Sequence, residues 1–130
     1  MLWNNSLETG IEVIDLQHQE IFRWVDILLD DSSPDTIIAT LNFLERYVVE
    51  HFLIEESMQA SSNYPEARAH KKMHADFVEL FENMCREYRE SGHTFENVAR
   101  VNRTVVSWLQ KHIMVQDRNF AEYSKARIGK

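Results

Sequence analysis

Apolar side chains recur along this chain in steps of three and four, and the spacing persists through four long stretches. The first, over 12–29, aligns Ile14, His18, Ile21, Phe22, Val25, Leu28 and Leu29. The second runs to residue 60 and aligns Leu41, Leu44, Val48, His51, Glu55 and Met58. His70, His74, Phe77, Phe81, Met84 and Tyr88 share the third stripe; Val98, Val101, Val105, Leu109 and His112 share the fourth. This periodicity belongs to amphipathic helices that bury one side.

The breaks between stretches carry helix-boundary chemistry. Ser33 can cap the second helix with Pro34 at its first position, and Pro65 can start the third. Gly92 can end the third helix, and Thr94 can cap the fourth. A short tail helix over 119–127 is also expected. Short connections place consecutive helices antiparallel, so the pattern predicts an all-α, up-down-up-down four-helix bundle. Residues 1–130 are expected to form a single domain.

Composition narrows the function more than the fold. The formal net charge is −7, and acidic residues are spread along the chain. Nucleic-acid binding needs a basic face, as does docking on an anionic bilayer, so neither partner is expected. No apolar run reaches the ~20 residues that cross a bilayer, which argues against membrane insertion. The N-terminus lacks a basic segment followed by an apolar one. A lone cysteine, Cys85, fits a reducing compartment and reads as a small packed hydrophobe. The expectation is a soluble, cytoplasmic monomer.

The polar residues on the apolar stripes carry the chemistry. Each of the four helices brings at least one imidazole to the bundle axis: His18, His51, His70 with His74, and His112. One such histidine is ordinarily a core residue bonded through one nitrogen. Five together with a buried Glu55 need another explanation, because an unpaired buried carboxylate costs several kcal/mol. No lysine or arginine occupies a matching stripe position. A metal satisfies neutral imidazoles and carboxylates together.

Spacing supports a metal. His51 with Glu55, and His70 with His74, are four residues apart, which sets each pair on one face about 6 Å along the helix. Asp117 follows His112 by five, about 140° round a regular helix. Either a π-type turn widens the helix there, or Asp117 reaches in from a loosened end. Seven candidate ligands exceed the four of a tetrahedral zinc site and suit two ions bridged by carboxylates. His93 reads as a solvated loop residue, and Glu56, about 100° from Glu55, as facing solvent.

The stretches "IDLQH", "HFLIEES", "HKKMH" and "HIMVQD", in this order, resemble the hemerythrins, and the short chain looks like their bacterial single-domain form. "LW" near the start and "YPEARAHKKMH" agree with it. The resemblance implies two non-haem iron ions with an oxo or hydroxo bridge. His70, His74 and His112 would bind one iron, His18 and His51 the other, and Glu55 and Asp117 would bridge them. It also implies O2 as ligand, at the iron with two histidines. The choice of iron over manganese rests on this resemblance, since both accept such donors.

The residues nearest these ligands in sequence, Ile21, Phe22, Phe52, Phe77, Leu109 and Ile113, are candidates to line a dry O2 pocket. Oxidases of the ferritin-like type use four glutamates and paired Glu-x-x-His motifs. Here that motif occurs only as Glu90 to His93, off the core stripe. Reversible O2 binding for storage, transport or scavenging is therefore expected, not an enzyme. The competing readings are a di-iron peroxidase or oxidase, a protein handling iron or nitric oxide, and an O2 sensor.

Overall fold

The structure, a computed structural model, describes residues 3–128, without the side chains of 113, 114, 127 and 128. Leu2 and the side chain of Ile113 lie outside what is described. Among the described residues the secondary structure is entirely helical. Helices α1 (Glu12–Asp30), α2 (Pro34–Ser61), α3 (Ala67–Ser91) and α4 (Phe95–Lys111) form the bundle, and α5 (Arg118–Ile128) continues from α4 through a π-helical turn, His112–Asp117.

The boundaries follow local chemistry. Ser33 accepts a hydrogen bond from the Thr36 amide with Pro34 in the first turn, and Thr94 accepts one from the Asn97 amide at 3.1 Å. Gly92 closes α3 at φ +87°, where a Cβ would be strained. Pro65 does not start α3; it lies in the preceding turn, which the Ala67 amide closes on the Tyr64 carbonyl.

Side-chain bridges between neighbours fix the antiparallel order. Gln17, early in α1, meets His51, late in α2; Glu56, late in α2, meets His74, early in α3. Arg89 near the end of α3 reaches Asn42 and Glu45 early in α2. Asn102 of α4 meets Ser32 just after α1, and His18 of α1 meets Asp117, so the bundle closes α4 on α1.

This arrangement gives the bundle two unlike ends. Leu28, Ile37, Leu41, Leu44, Phe81, Met84, Val101 and Val105 fill one end as a dry core. Every polar stripe residue falls toward the other end, formed by the starts of α1 and α3 and the ends of α2 and α4. Three stripe positions differ from expectation: Leu29, Met58 and Val98, the last only partly buried against the core. Leu29 is 42% exposed because Leu28 already takes the core position, and Met58 is half-buried. Gln59, four residues past Glu55, is buried in its place.

Candidate metal centre

All seven expected ligands are buried and converge. His70 and His74 share a face of α3 by their four-residue spacing, as do His51 and Glu55 on α2. His112 closes α4, and the π turn resolves the awkward step to Asp117. Its wider coil puts residues five apart nearly in line, where a regular helix would rotate Asp117 out of the core. Of the two alternatives open in the sequence, the widened turn is the one observed.

The donor atoms divide into two overlapping groups: Glu55, His70, His74, His112 and Asp117, and His18, His51, Glu55 and Asp117. In the first, His112 Nε2 lies 2.9 Å from His70 Nε2 and 3.0 Å from His74 Nε2. Glu55 Oε1 lies 2.8 Å from His70 Nε2 and 3.5 Å from His74 Nε2, and Asp117 Oδ1 lies 3.0 and 3.1 Å from Nε2 of His70 and His112. In the second, Asp117 Oδ2 lies 2.9 Å from His18 Nε2, and Glu55 Oε2 lies 3.2 Å from His51 Nε2. Each carboxylate thus turns one oxygen to each group.

These separations fit ions. Neighbouring ligands of an octahedral ion with ~2.1 Å bonds stand about 3 Å apart. Three imidazole nitrogens that close repel through their lone pairs unless a cation lies among them. Nε2 of His18 and His51 and all four oxygens of Glu55 and Asp117 are buried without a well-formed hydrogen bond. Buried polar atoms in folded proteins are rarely left so. The donor set therefore fits two cations sharing two bridging carboxylates.

The charges tell the same story. Burial and the neighbouring Asp117 push the Glu55 carboxyl up, but His51, His70 and His74 outweigh them and hold it down to about 2. Asp117 is likewise held well below the usual carboxylate range, its burial overcome by His112, His18 and His70. Burial opposes charge on His70, yet the two carboxylates raise it to about 9. A metal ion supplies the same positive charge to the same oxygens, displacing the imidazole proton.

Outside the donors, three rings are tied by their second nitrogen. His51 Nδ1 donates to Gln17 Oε1 at 2.7 Å, and His74 Nδ1 donates to Glu56 Oε2 at 2.8 Å. Gln59 Nε2 lies 2.8 Å from His70 Nδ1, with its own Oε1 unpartnered; half a turn of the amide would let that oxygen accept from Nδ1. Such partners select the tautomer whose Nε2 lone pair faces the ion. Glu56 therefore does not face solvent as expected, because the groove between α2 and α3 brings His74 to it.

Aromatic rings brace the site as well. Phe52 stacks on His74 at 3.7 Å, and Trp108 stacks on both His112 and Phe77 at 4.5 and 3.8 Å. Trp3 packs edge-on against Phe22 beside His18. Trp108 was not singled out in the sequence; its signal is the four-residue step to His112. Ile21, Phe22, Phe52, Phe77 and Leu109 are all buried in the core cluster that adjoins these rings. His93 is exposed, and its Nδ1 meets the Tyr88 hydroxyl at 2.7 Å, far from the donor groups in sequence and at the apolar end. No helix among the described residues is long and apolar enough to cross a membrane.

Comparison with known proteins points the same way. Residues 9–123 match the model of the hemerythrin HHE cation binding domain. The bacteriohemerythrin of Pseudomonas paraeruginosa is 32% identical over 126 residues, 94% of this chain and 80% of its own. That of Stenotrophomonas maltophilia is 29% identical over 133 residues, covering 99% of this chain and 84% of its own. The myohemerythrin of Theromyzon tessulatum is 30% identical over 115 residues, covering 88% of this chain and 86% of its own. With the family model matched over most of its length and the cation-binding donors in place, the chain belongs to the hemerythrin family of non-haem di-iron proteins.

Proposed function

We propose that this chain binds O2 reversibly at two non-haem irons, serving oxygen storage, transport or scavenging, and is not an enzyme. In this reading His70, His74 and His112 would hold one iron, His18 and His51 would hold the other, and Glu55 and Asp117 would be shared between them. The observation that carries it is the unequal donor count: three nitrogens and two oxygens in one group, two and two in the other. The second ion would have one protein ligand fewer, which would leave room for a small exogenous ligand. Such an iron pair supplies two electrons to O2 and recovers them on its release.

The protein's own residues do the rest. Among the described residues Glu55 and Asp117 offer two carboxylates to the pair, against the four-carboxylate donor set associated with oxidases. Neutral imidazoles make up the remaining ligands. Ile21, Phe22, Phe52, Phe77 and Leu109 are proposed to surround the ligand and exclude water, which slows loss of reduced oxygen as free peroxide.

The test is anaerobic loading of the reduced chain with ferrous iron, followed by addition and removal of O2. A visible absorption band that appears with O2 and disappears on its removal is the expected result. One-way conversion to the diferric protein with peroxide released, or consumption of a second substrate, would overturn the reading in favour of an enzyme.

A further inference from the structure

The three outer ties are not equivalent. Gln17 and Gln59 are neutral amides, whereas Glu56 is a carboxylate, and it sits behind His74 of the three-histidine group. His18, in the other group, has no partner at Nδ1 among the described residues. The first group therefore combines three imidazoles with two ties, one of them charged, while the second combines two imidazoles with one neutral tie. A carboxylate accepting from Nδ1–H pulls the ring toward imidazolate and strengthens the Nε2 donor more than an amide does.

Glu56 is also suitably placed for this role. It is the residue after the bridging Glu55, yet it points about 100° away, into a surface groove between α2 and α3. That groove, about 390 Å³, is lined by Phe52, Leu53, Glu56, His74 and Val78 among others. The Glu56 side chain is 19% exposed, so it keeps part of its hydration while its partner ring is buried. Phe52 stacked on His74 holds the ring in the plane that meets it.

We propose that Glu56 is a positioning residue that makes the three-histidine group the stronger of the two ion sites, so that the pair fills in order, this site first. The proposal rests on the two-ion reading above and adds the order of filling and the residue that sets it.

The experiment titrates the metal-free full-length chain with cobalt(II) against a competing chelator, following the visible bands. Wild type should bind two ions in separated steps. Glu56→Gln keeps an acceptor for Nδ1–H but removes the charge, and should weaken the first step about 10- to 100-fold while leaving the second unchanged. Gln17→Glu, which places a carboxylate behind His51, should strengthen the second step and narrow the gap even if Glu56→Gln folds poorly. Melting of each metal-free variant reports its fold separately. Unchanged affinities in both variants would overturn the proposal, as would a loss in Glu56→Gln confined to the second step. Failure of wild type to bind two ions would instead sink the two-ion reading itself.

Discussion

At the scale of single residues, burial decides what each reactive group can do. Glu55 illustrates one outcome: fully buried, it turns both oxygens toward three imidazoles on two helices, His51 of α2 and His70 and His74 of α3. Glu55→Ala removes one oxygen from each ion, so the iron content should fall below the two per chain expected of the wild type; metal analysis showing two retained irons would refute its bridging role. Cys85 illustrates the opposite outcome. Burial, followed by the Glu45 carboxylate, pushes its thiol up to about 12 from an ordinary 9.0. The folded chain thus keeps a proton that the unfolded chain releases above about pH 9, so this group lowers stability only as pH rises past that point. At pH 8 the native thiol should resist a thiolate-specific alkylating agent that modifies the unfolded chain rapidly. Equal rates in the two states would show that the thiol is not shielded.

At the scale of elements, the π turn is the feature on which the site depends. Over a five-residue step it gives nearly the phase that a regular helix gives over four, so removing one residue should restore an α-helical turn without moving the carboxylate out of line. Deletion of Val115, which is half exposed, is expected to leave two ions bound. Insertion of one alanine after Val115 should swing Asp117 and all of α5 by about 100° and cost at least one ion. Metal analysis on both variants decides it: equal retention or equal loss would mean that the turn does not set the phase. The same turn marks how far the sequence could be read. Steps of three and four made the four helices and six of the seven donors legible, because those residues obey helical geometry. By spacing alone Asp117 stands as a conflict with that geometry, and it is the resemblance to the hemerythrins that makes it a ligand. Helical phase alone turns Glu56 to solvent because a helical wheel describes one helix, whereas the neighbouring α3 makes that flank the wall of a surface groove. Leu29 and Met58 were placed too deep for a related reason: an adjacent residue on the same helix fits the bundle axis better.

At the scale of the whole molecule, the two ends of the bundle are held by different forces. The apolar end gains from burial alone, and a Leu44→Ala truncation there should cost about 2–5 kcal/mol whether or not metal is bound. The polar end stacks five imidazoles and two carboxylates in a space that water does not reach, and these groups lack good partners among themselves. Ion binding is therefore coupled to folding, since the unfolded chain does not assemble the seven donors. Each ion held at 100 times its dissociation constant adds about 2.7 kcal/mol, which for a chain of this length corresponds to roughly 10 °C in melting temperature. The metal-loaded protein should melt well above the chelated one, with the gap growing with free metal concentration. Leu44→Ala should lower both melting points by similar amounts, because it lies away from the donors. Melting curves of loaded and chelated protein that coincide would show that the donor cluster is stable without metal, and the coupling of ion binding to folding would then fail.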